Sequence, residues 1–362
     1  MKAAVYPYDF EFMSALMHSD MIDNIEILSI ISPKGFGLQG KDAYYFGNEV
    51  AGIPVHSVDE AVFNSIDAVI ITESLMKIPE EDKVNELDII ISNVNIVIDL
   101  TYDKSTHIQL EDICIKYKIQ YITGFDLLPY NQKIRIDSVG VPSERNKFAT
   151  PIIAVSGISP MTQKFDVQLY FRDRFSKDGY KVSQIGTKEI SYLFGFHAWE
   201  SALYDNSYSE IEKIGRINQY IKDIESYEKP DVFIIGIPDA LIPYTHKHTF
   251  RYGIPAYEIF SAMTPDFMVM TLLNGEYTDE FYDEMQNMCK YRYNSDIDCF
   301  YNSHFVPISL SINAEKLVYS HGEKMTPKSD NTSVFNPDSL YTDELYRFAV
   351  SRLEKYGEFK SY

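Results

Sequence analysis

The chain has 362 residues, a length that predicts two domains of ordinary size. Its 33 Lys and Arg residues stand against 53 Asp and Glu residues, and the formal net charge of -20 argues against nucleic acid or an anionic membrane as a partner. A hydrophobic fraction of 45% excludes a disordered chain, and no apolar run reaches the roughly 18 to 20 residues of a membrane span. Because Asp9 and Glu11 interrupt any secretory signal, we expect a cytoplasmic protein.

The first domain is predicted at residues 1–125, where apolar runs alternate with amphipathic helical patterns. The runs are AAVYPY, IEILSII, AGIPVHS, DAVIITES, NIVIDLT and IQYITG. This alternation is typical of a parallel, doubly wound sheet, so we predict a Rossmann-like α/β domain. The first run ends in Tyr6-Pro7-Tyr8-Asp9-Phe10 without a glycine-rich turn, so no NAD site is expected there. Thr72-Glu73-Ser74 follows another strand, either at the ligand-binding edge of the sheet or as a helix cap.

A second α/β domain is predicted after a linker. Residues 126–150 mix Pro, Gly, Asn and charged residues with little periodicity, as linkers do. The domain at 151–335 contains the apolar runs PIIAVSG, KVSQIGT, PDVFIIGIP, PDFMVMTLL and FVPISLSI, which we expect to form strands of one sheet. Residues 336–362 include SLYTDELYRFAVSRLEKYG, which predicts a capped amphipathic helix packed on this domain.

The first strand of the second domain is followed by a loop and a helix, the order found in phosphate-binding P-loops. The loop reads Gly157-Ile158-Ser159-Pro160-Met161-Thr162-Gln163-Lys164. In such loops, backbone N–H groups surround the phosphates, a lysine neutralises them, and the next Ser or Thr hydroxyl holds magnesium. The seven-residue step from glycine to lysine equals that of the G-T-D-x-x-x-G-K loops of the dethiobiotin synthetase type. Cofactor-binding candidates in the loop are Gly157, Ser159, Thr162, Gln163 and Lys164.

This loop departs from a working nucleotide site at two places. Gln163 replaces a glycine that lets the backbone approach the phosphate, and Phe165-Asp166 replaces the pair that carries the magnesium-binding hydroxyl. An Asp166 carboxylate at about 4 Å from a phosphate oxygen would cost on the order of 4 kcal/mol at an effective dielectric constant near 20, unless a cation lay between them. The sequence therefore predicts a degenerate anion site for a nucleotide or another phosphate-bearing cofactor, with or without Mg²⁺.

With the loop aligned, most of the chain resembles a family that joins a Rossmann-like domain to a dethiobiotin-synthetase-like P-loop domain. This family includes D-glutamate N-acetyltransferases. Its loop glycine and lysine fall on Gly157 and Lys164, and its A-T-G-Q-T turn is similar to residues 184–188. Its E-G-Q-G-S-L segment with a following H-P is similar to residues 236–243, and its G-S-A-P-D segment to residues 261–266. The resemblance implies the same two α/β domains in this chain.

The resemblance also implies further site residues. Gly186 and Thr187 match the family's hydroxyl-rich turn and join the cofactor-binding candidates. The family's acidic residue is replaced here by Gly236, and Asp239, three residues on, is a candidate substitute for its carboxylate. A Pro-Asp pair is also common in ordinary turns, so a structural role for Asp239 stays open. The candidate catalytic residues are Lys164, Asp166 and Asp239.

The VYPYD start and the Lys164-Phe165-Asp166 variant are similar to clostridial peptide maturation system proteins. Such proteins accompany a radical SAM maturase and an acyl-carrier-like protein around a small ribosomal peptide. This resemblance implies a factor in the maturation of a ribosomal peptide (a RiPP) or an amino-acid-derived natural product, with the maturase, the carrier-like protein or the precursor peptide as partners. We also expect a homo-oligomer.

Two other functions stay open at this point. One is an enzyme that transfers an acyl or phosphoryl group to a small acidic substrate, and the other is a non-catalytic scaffold for a maturation complex. If the protein is an enzyme, we expect a transferase or ligase-like P-loop protein with weak NTPase activity.

The three cysteines form no C-x-x-C pair, and no metal site is predicted from them. His246 and His248 lie two residues apart and could share a metal with a third ligand, and Asp166 is a further candidate ligand. Solvated loop histidines explain the same spacing, so metal binding and a surface loop both stay open.

Overall fold

The chain forms two compact units. The computed structural model describes residues 1–44, 51–199, 201–205, 207–314, 317–323, 325, 329 and 331–358. The first unit comprises residues 1–133 and 188–201, and the second comprises 134–187 and 202–362. The sequence places a linker at 126–150, whereas the division falls between residues 133 and 134, and residues 188–201 belong to the first unit. Among the described residues, no helix is long and apolar enough to cross a bilayer.

The first unit is built on a parallel sheet. Its strands are β1 Lys2–Tyr6, β2 Glu26–Ile31, β3 Val55–His56, β4 Ala68–Ile71, β5 Ile96–Asp99 and β6 Gln120–Thr123. They follow the order β3-β2-β1-β4-β5-β6, and all neighbours are parallel. The order reverses between β1 and β4, the place where ligands bind in such sheets. Each of the six predicted apolar runs forms one of these strands.

Helices of the first unit bury apolar stripes against this sheet. They are α1 Met13–Met17, α2 Glu80–Ile91 and α3 Lys104–Tyr117. Leu87, Ile90 and Ile91 of α2 recur at helical spacing and are fully buried. The four residues of β4 are also fully buried, which explains why this strand reads as a continuous apolar run.

The second unit contains a second parallel sheet. The remaining strands, in chain order, are β7 Ile152–Gly157, β8 Val182–Gly186, β9 His197–Ala198, β10 Val232–Gly236, β11 Phe267–Leu272, β12 Cys299–Asn302, β13 Phe305–Pro307, β14 Tyr319–His321 and β15 Val334–Phe335. Of these, β9 lies in the first unit, and β13 and β14 form a separate two-stranded sheet. Within the second unit, the sheet follows the order β15-β12-β11-β7-β10-β8, so β7 is central. All these neighbours pair in parallel, and the predicted α/β fold class is confirmed.

One predicted strand of this sheet is wrong. The run FVPISLSI does not join the sheet, because its first residues, β13, pair antiparallel with β14 in a separate two-stranded sheet. The strand beside β11 is β12, whose four residues CFYN form too short a run to stand out in the sequence. The run FVPISLSI and the β12 residues are both largely apolar, so only their pairing with distant strands shows which of them belongs to the parallel sheet.

Helices α4 Lys164–Lys177, α5 Glu210–Glu228, α6 Ile254–Ala262, α7 Asp279–Tyr293 and α8 Glu344–Glu358 complete the second unit. Phe171 of α4 and Leu345 of α8 are fully buried in one core cluster with β-strand residues such as Val155 and Val269. Helices α4 and α8 therefore cover the same face of the sheet. Residues 137–146 lie along α5, where Asn218 accepts a hydrogen bond from the Asn146 N–H at 2.8 Å.

Candidate functional site

The predicted phosphate-binding loop connects the central strand β7 to helix α4. Since β7 lies between β10 and β11, the loop leaves the carboxyl edge of the sheet between two neighbouring strand ends. The loop folds closely over Gly157, where an added Cβ would lie 2.5 Å from Thr162 Oγ1 and 2.7 Å from Thr271 Oγ1. Only glycine fits this position, so the glycine of the motif has a direct steric reason.

The side chain of Lys164 turns into the loop. It is 5% exposed. Its Nζ donates a hydrogen bond to the Ser159 carbonyl oxygen at 3.3 Å and another to the carbonyl oxygen of Asp239. Asp239 has a left-handed backbone, with φ of 56°. The ammonium is therefore solvated by main-chain carbonyls of the loop and of the turn after β10, and these carbonyls carry the partial charges that a buried cation requires.

Buried hydroxyl groups fasten the loop to β11. Thr162 Oγ1 lies 3.1 Å from the Ser159 carbonyl oxygen and 2.5 Å from Thr271 Oγ1. Thr271 Oγ1 lies in turn 2.9 Å from the carbonyl oxygen of Ser156. The Ile158 N–H donates to the Thr271 carbonyl oxygen at 3.0 Å, so the first amide of the loop takes part in strand pairing. These groups stabilise the loop from within.

Gln163 has a backbone conformation that is typical of glycine. Its φ and ψ are 59° and 27°, a left-handed conformation that costs an ordinary residue about 1 to 2 kcal/mol. Its Oε1 accepts hydrogen bonds from the His304 N–H at 2.9 Å and from the Tyr301 hydroxyl at 3.5 Å. The side chain thus links the loop to the end of β12, which offsets part of the backbone cost.

A β-hairpin that the sequence did not reveal contacts the loop. The Tyr319 hydroxyl of β14 lies 2.8 Å from Ser159 Oγ. Nearby, the rings of His304 and His321 stack with centroids 5.2 Å apart. Burial and the neighbouring His304 lower the pKa of His321 to about 4, so His321 is neutral at neutral pH. The hairpin is separated from the loop by about 150 residues, and no local pattern predicts this contact.

The amide of Gln168 lies directly beside Gly236. An added Cβ on Gly236 would lie 2.5 Å from Gln168 Oε1. Gln168 is fully buried, and its Nε2 donates to the Lys164 carbonyl oxygen at 3.0 Å. A side chain at residue 236 therefore requires Gln168 to move. Gln168 is not among the site residues predicted from the sequence, although its place one helical turn after Lys164 is a usable signal.

The other predicted catalytic and cofactor-binding residues lie at separate places in the second unit. Asp166 lies in the first turn of α4 and is 5% exposed. Burial, together with the Asp166 carboxylate, raises the pKa of Tyr301 well above its ordinary value. Gly186 ends β8, with Thr187 next in the chain, and β10 separates β8 from the loop-bearing strand β7.

The two histidines considered as metal ligands differ in environment. His248 is buried, and its Nε2 lies 3.2 Å from the Ile312 carbonyl oxygen, whereas His246 is exposed. No group of three or more His, Cys, Asp or Glu residues in the described part of the chain is arranged to hold a metal ion.

A charged cluster lies at the point where the first sheet reverses its strand order. We call Asp9, Glu11, Glu73, Lys77 and Lys188 the switch-point cluster. Lys77 Nζ lies 2.6 Å from Asp9 and 2.7 Å from Glu11, while Lys188 contacts Glu11 and lies 3.6 Å from Glu73. The cluster borders a space of about 310 Å³, open solvent included. The sequence indicated Glu73 as a candidate residue at this edge of the first sheet. Lys188 was not anticipated here, because it lies in a distant segment that was predicted to belong to the second domain.

The members of the switch-point cluster have different protonation preferences. Lys188, against the opposing effect of burial, holds the pKa of Glu11 well below its ordinary value. Burial raises the pKa of Glu73, even though Lys188 opposes this change. Burial would lower the pKa of Lys188, but Glu11 and Glu73 raise it above its usual range. Glu11 and Lys188 therefore form the firmly charged pair, and Glu73 is the carboxyl group with the weaker tendency to ionise.

Comparison with known proteins identifies a similar fold. No protein-family model and no curated protein matches the chain. Among solved structures, a DUF1611 family protein from Anabaena variabilis is similar with a TM-score of 0.54 and 12% identity, covering 83% of this chain and 87% of that one. At this identity the similarity shows the fold alone.

Two further matches are remote. Chloroplast FtsY from Physcomitrella patens has a TM-score of 0.26 at 11% identity, covering 64% of this chain and 76% of that one. A pseudomurein peptide ligase type C from Methanothermus fervidus has a TM-score of 0.23 at 10% identity, covering 84% of this chain and 44% of that one. At these TM-scores neither match supports an argument.

We predict that Lys164→Met lowers the free energy of unfolding of the ligand-free protein by about 1.5 to 3 kcal/mol, the usual range for hydrogen bonds to a charged group. The substitution keeps much of the apolar stem but leaves the carbonyl oxygen of Asp239 without the ammonium. Urea denaturation measures the change. Lys177→Met on the same helix is the control, because Lys177 is 64% exposed and should change stability by less than about 1 kcal/mol. Unchanged or increased stability of Lys164→Met would contradict the role of these carbonyls.

We predict different effects on stability for the substitution of two neighbouring carboxyl groups. Glu11→Gln should destabilise the protein at pH 7 by about 1.5 to 3 kcal/mol, because Lys77 and Lys188 lose their shared partner. Glu73→Gln should leave stability at pH 7 equal or higher, because burial disfavours the Glu73 anion.

The pH dependence follows from the lowered pKa of Glu11. Its contribution to stability is complete above the unfolded pKa near 4.5 and is lost as the pH falls through its lower folded pKa. The difference between wild type and Glu11→Gln should therefore shrink as the pH falls below about 4, which thermal melts across pH 3 to 7 measure. A difference that grows on acidification would exclude the Glu11–Lys188 pair as its cause.

Proposed function

We propose that this protein is a P-loop-like factor in the maturation of a ribosomal peptide or an amino-acid-derived natural product, and that it does not hydrolyse nucleotides. The absence of nucleotide hydrolysis is supported by the closed loop, in which the Lys164 ammonium binds the carbonyl oxygens of Ser159 and Asp239. The maturation context rests on the resemblance of the VYPYD start and the Lys164-Phe165-Asp166 variant to clostridial peptide maturation system proteins.

Three features support the absence of hydrolysis. Nucleotide hydrolysis at a P-loop uses a lysine on the phosphates, a hydroxyl on Mg²⁺ and an acidic residue at the end of a neighbouring strand. Lys164 has two of its three N–H donors on main-chain carbonyls, and Phe165 supplies no hydroxyl. At the end of the neighbouring strand β10, where an acidic residue would be needed, the residue is Gly236, and Gln168 fills the space beside it.

The proposed role is that of a partner-binding protein. A radical SAM maturase, a carrier-like protein and the precursor peptide are the partners that the resemblance implies, and we propose a homo-oligomer as the working assembly. In this role the closed loop is a structural element that holds the carboxyl edge of the second sheet in one arrangement, with Gln163 and Ser159 linking it to neighbouring segments.

One observation favours an enzyme as the alternative function. Gln163 retains the left-handed backbone of the P-loop glycine, and Lys164 stays at the start of the helix. A ligand that drew Lys164 away from the carbonyl oxygens would restore a helix N-terminus with a cation beside it. Such an arrangement binds phosphate groups, including those of an acyl-group carrier or a phosphoryl donor.

We predict that the wild-type protein releases phosphate from MgATP or MgGTP no faster than a Lys164→Met variant that is prepared in the same way. Both proteins carry the same contaminating NTPases, so only a difference between them reports turnover by this site. A wild-type rate of about 1 per second, within the ordinary enzymatic range, that Lys164→Met abolishes would contradict the proposal. Release of free thiol from acetyl-CoA in the presence of glutamate, again abolished in Lys164→Met, would favour the acyl-transfer alternative.

A further inference from the structure

A groove lies at the amino edge of the second sheet. We call it the amino-edge groove. It is bordered by Ile152 at the start of β7 and by Asp266 just before β11, whereas the predicted phosphate-binding loop follows the other end of β7. Its volume is about 1110 Å³, open solvent included. The groove is therefore separate from the site discussed above.

The amino-edge groove is cationic in a strongly acidic protein. Its charged lining residues are three cations, Arg145, Lys147 and Arg292, and one acid, Asp266, although the chain carries a net charge of -20. The carboxylate of Asp266 accepts a hydrogen bond from the Ile152 N–H at 2.8 Å, and burial raises its pKa. Two or more positive charges therefore remain unbalanced in the groove.

Two of these cations have no partner within the described part of the chain. Arg145 and Lys147 are exposed, and their side chains make no hydrogen bond or ion pair there. Arg145 belongs to the segment that lies along α5, and the carbonyl oxygen of Lys147 accepts a hydrogen bond from Lys222 of that helix. Their charges are free to bind an anionic partner without breaking an existing ion pair.

Aromatic side chains accompany the cations. Phe148, Tyr257, Phe260 and Tyr293 line the same groove, and the rings of Phe260 and Tyr293 have centroids 5.2 Å apart. Tyr257 is 48% exposed, while Phe260 is buried. Tyrosine and arginine are the residues most enriched where proteins bind partners, because they combine a large apolar area with a polar group.

A turn that is hydrogen-bonded to Arg292 of the amino-edge groove has a strained backbone conformation. Phe250, Arg251 and Tyr252 have φ values of 43°, 54° and 55°. Each left-handed residue costs about 1 to 2 kcal/mol, and such strain is concentrated in ligand-binding segments. Arg292 of the groove donates a hydrogen bond to the carbonyl oxygen of Tyr252. One cation of the groove therefore also fixes this turn.

We propose that the amino-edge groove binds an extended acidic peptide segment, whose carboxylates pair with Arg145 and Lys147 and whose apolar side chains pack on Phe148 and Tyr257. Pairing with two separate cations and packing on aromatic side chains requires a partner with several carboxylates and apolar groups, which favours a peptide over a single metabolite. An acidic peptide is thus the class of partner that we assign to the proposed function. This assignment rests on the proposed function only for the biological source of the peptide.

The test is selection from a random dodecapeptide phage library on the wild-type protein, followed by fluorescence anisotropy with the enriched peptides. The groove variant is Arg145→Gln with Lys147→Gln. The control is Lys104→Gln with Lys290→Gln, which removes the same charge from two exposed residues outside the groove. We expect enriched peptides rich in Asp and Glu, with affinity about three- to twentyfold weaker for the groove variant and within about twofold of wild type for the control.

Four results would overturn the proposal. These are no enrichment, enriched peptides without acidic residues, equal losses of affinity in the two variants, and displacement of the peptide by inorganic phosphate or free glutamate at the peptide's own concentration. Sedimentation of both variants must also show the wild-type oligomeric state, since dissociation of the groove variant alone would identify a second copy of the chain as the occupant. Nucleotide turnover at the loop would contradict the proposed function but would leave these binding results intact.

Discussion

The arrangement of the second unit's carboxyl edge depends on one buried cation. The ammonium of Lys164 lies inside the chain, where an unsolvated charge would be strongly unfavourable, and the carbonyl oxygens of Ser159 and Asp239 supply its solvation. For both carbonyls to reach it, the loop folds tightly over Gly157 and the turn after β10 adopts a left-handed residue. The lysine of the predicted phosphate-binding loop therefore binds the protein's own main chain.

The departures from the P-loop pattern are accompanied by specific contacts. Gln163 has a left-handed backbone and accepts hydrogen bonds from β12 and from the segment just after it, while Gln168 occupies the space beside Gly236. The buried Lys164 ammonium donates hydrogen bonds to the carbonyl oxygens of Ser159 and Asp239. These contacts are consistent with a loop whose role is structural, and they place any anionic ligand in competition with the protein's own carbonyl groups.

Local signals predicted most of the fold and only part of the site. The apolar runs of the first unit and the strand, glycine loop and helix around Gly157 are encoded within short windows, so sequence patterns identified them. The partners of Gln163 and Ser159, by contrast, come from residues about 140 to 160 positions away. The run FVPISLSI was assigned to the wrong sheet for the same reason, since an apolar segment carries no information about which distant strand it pairs with. Lys188 illustrates the limit as well, because its segment belongs to the first unit although it follows α4 in the chain.

Hydrogen–deuterium exchange over residues 157–166, with and without millimolar MgATP, tests most directly whether the loop is closed around its own lysine. If the Lys164 ammonium stays on the carbonyl oxygens of Ser159 and Asp239, the loop amides should exchange at the same rate in both conditions, and the Lys164→Met variant should exchange faster in both. Protection of these amides by MgATP in the wild type, lost in Lys164→Met, would show that the lysine leaves the carbonyls to bind nucleotide and would contradict the account.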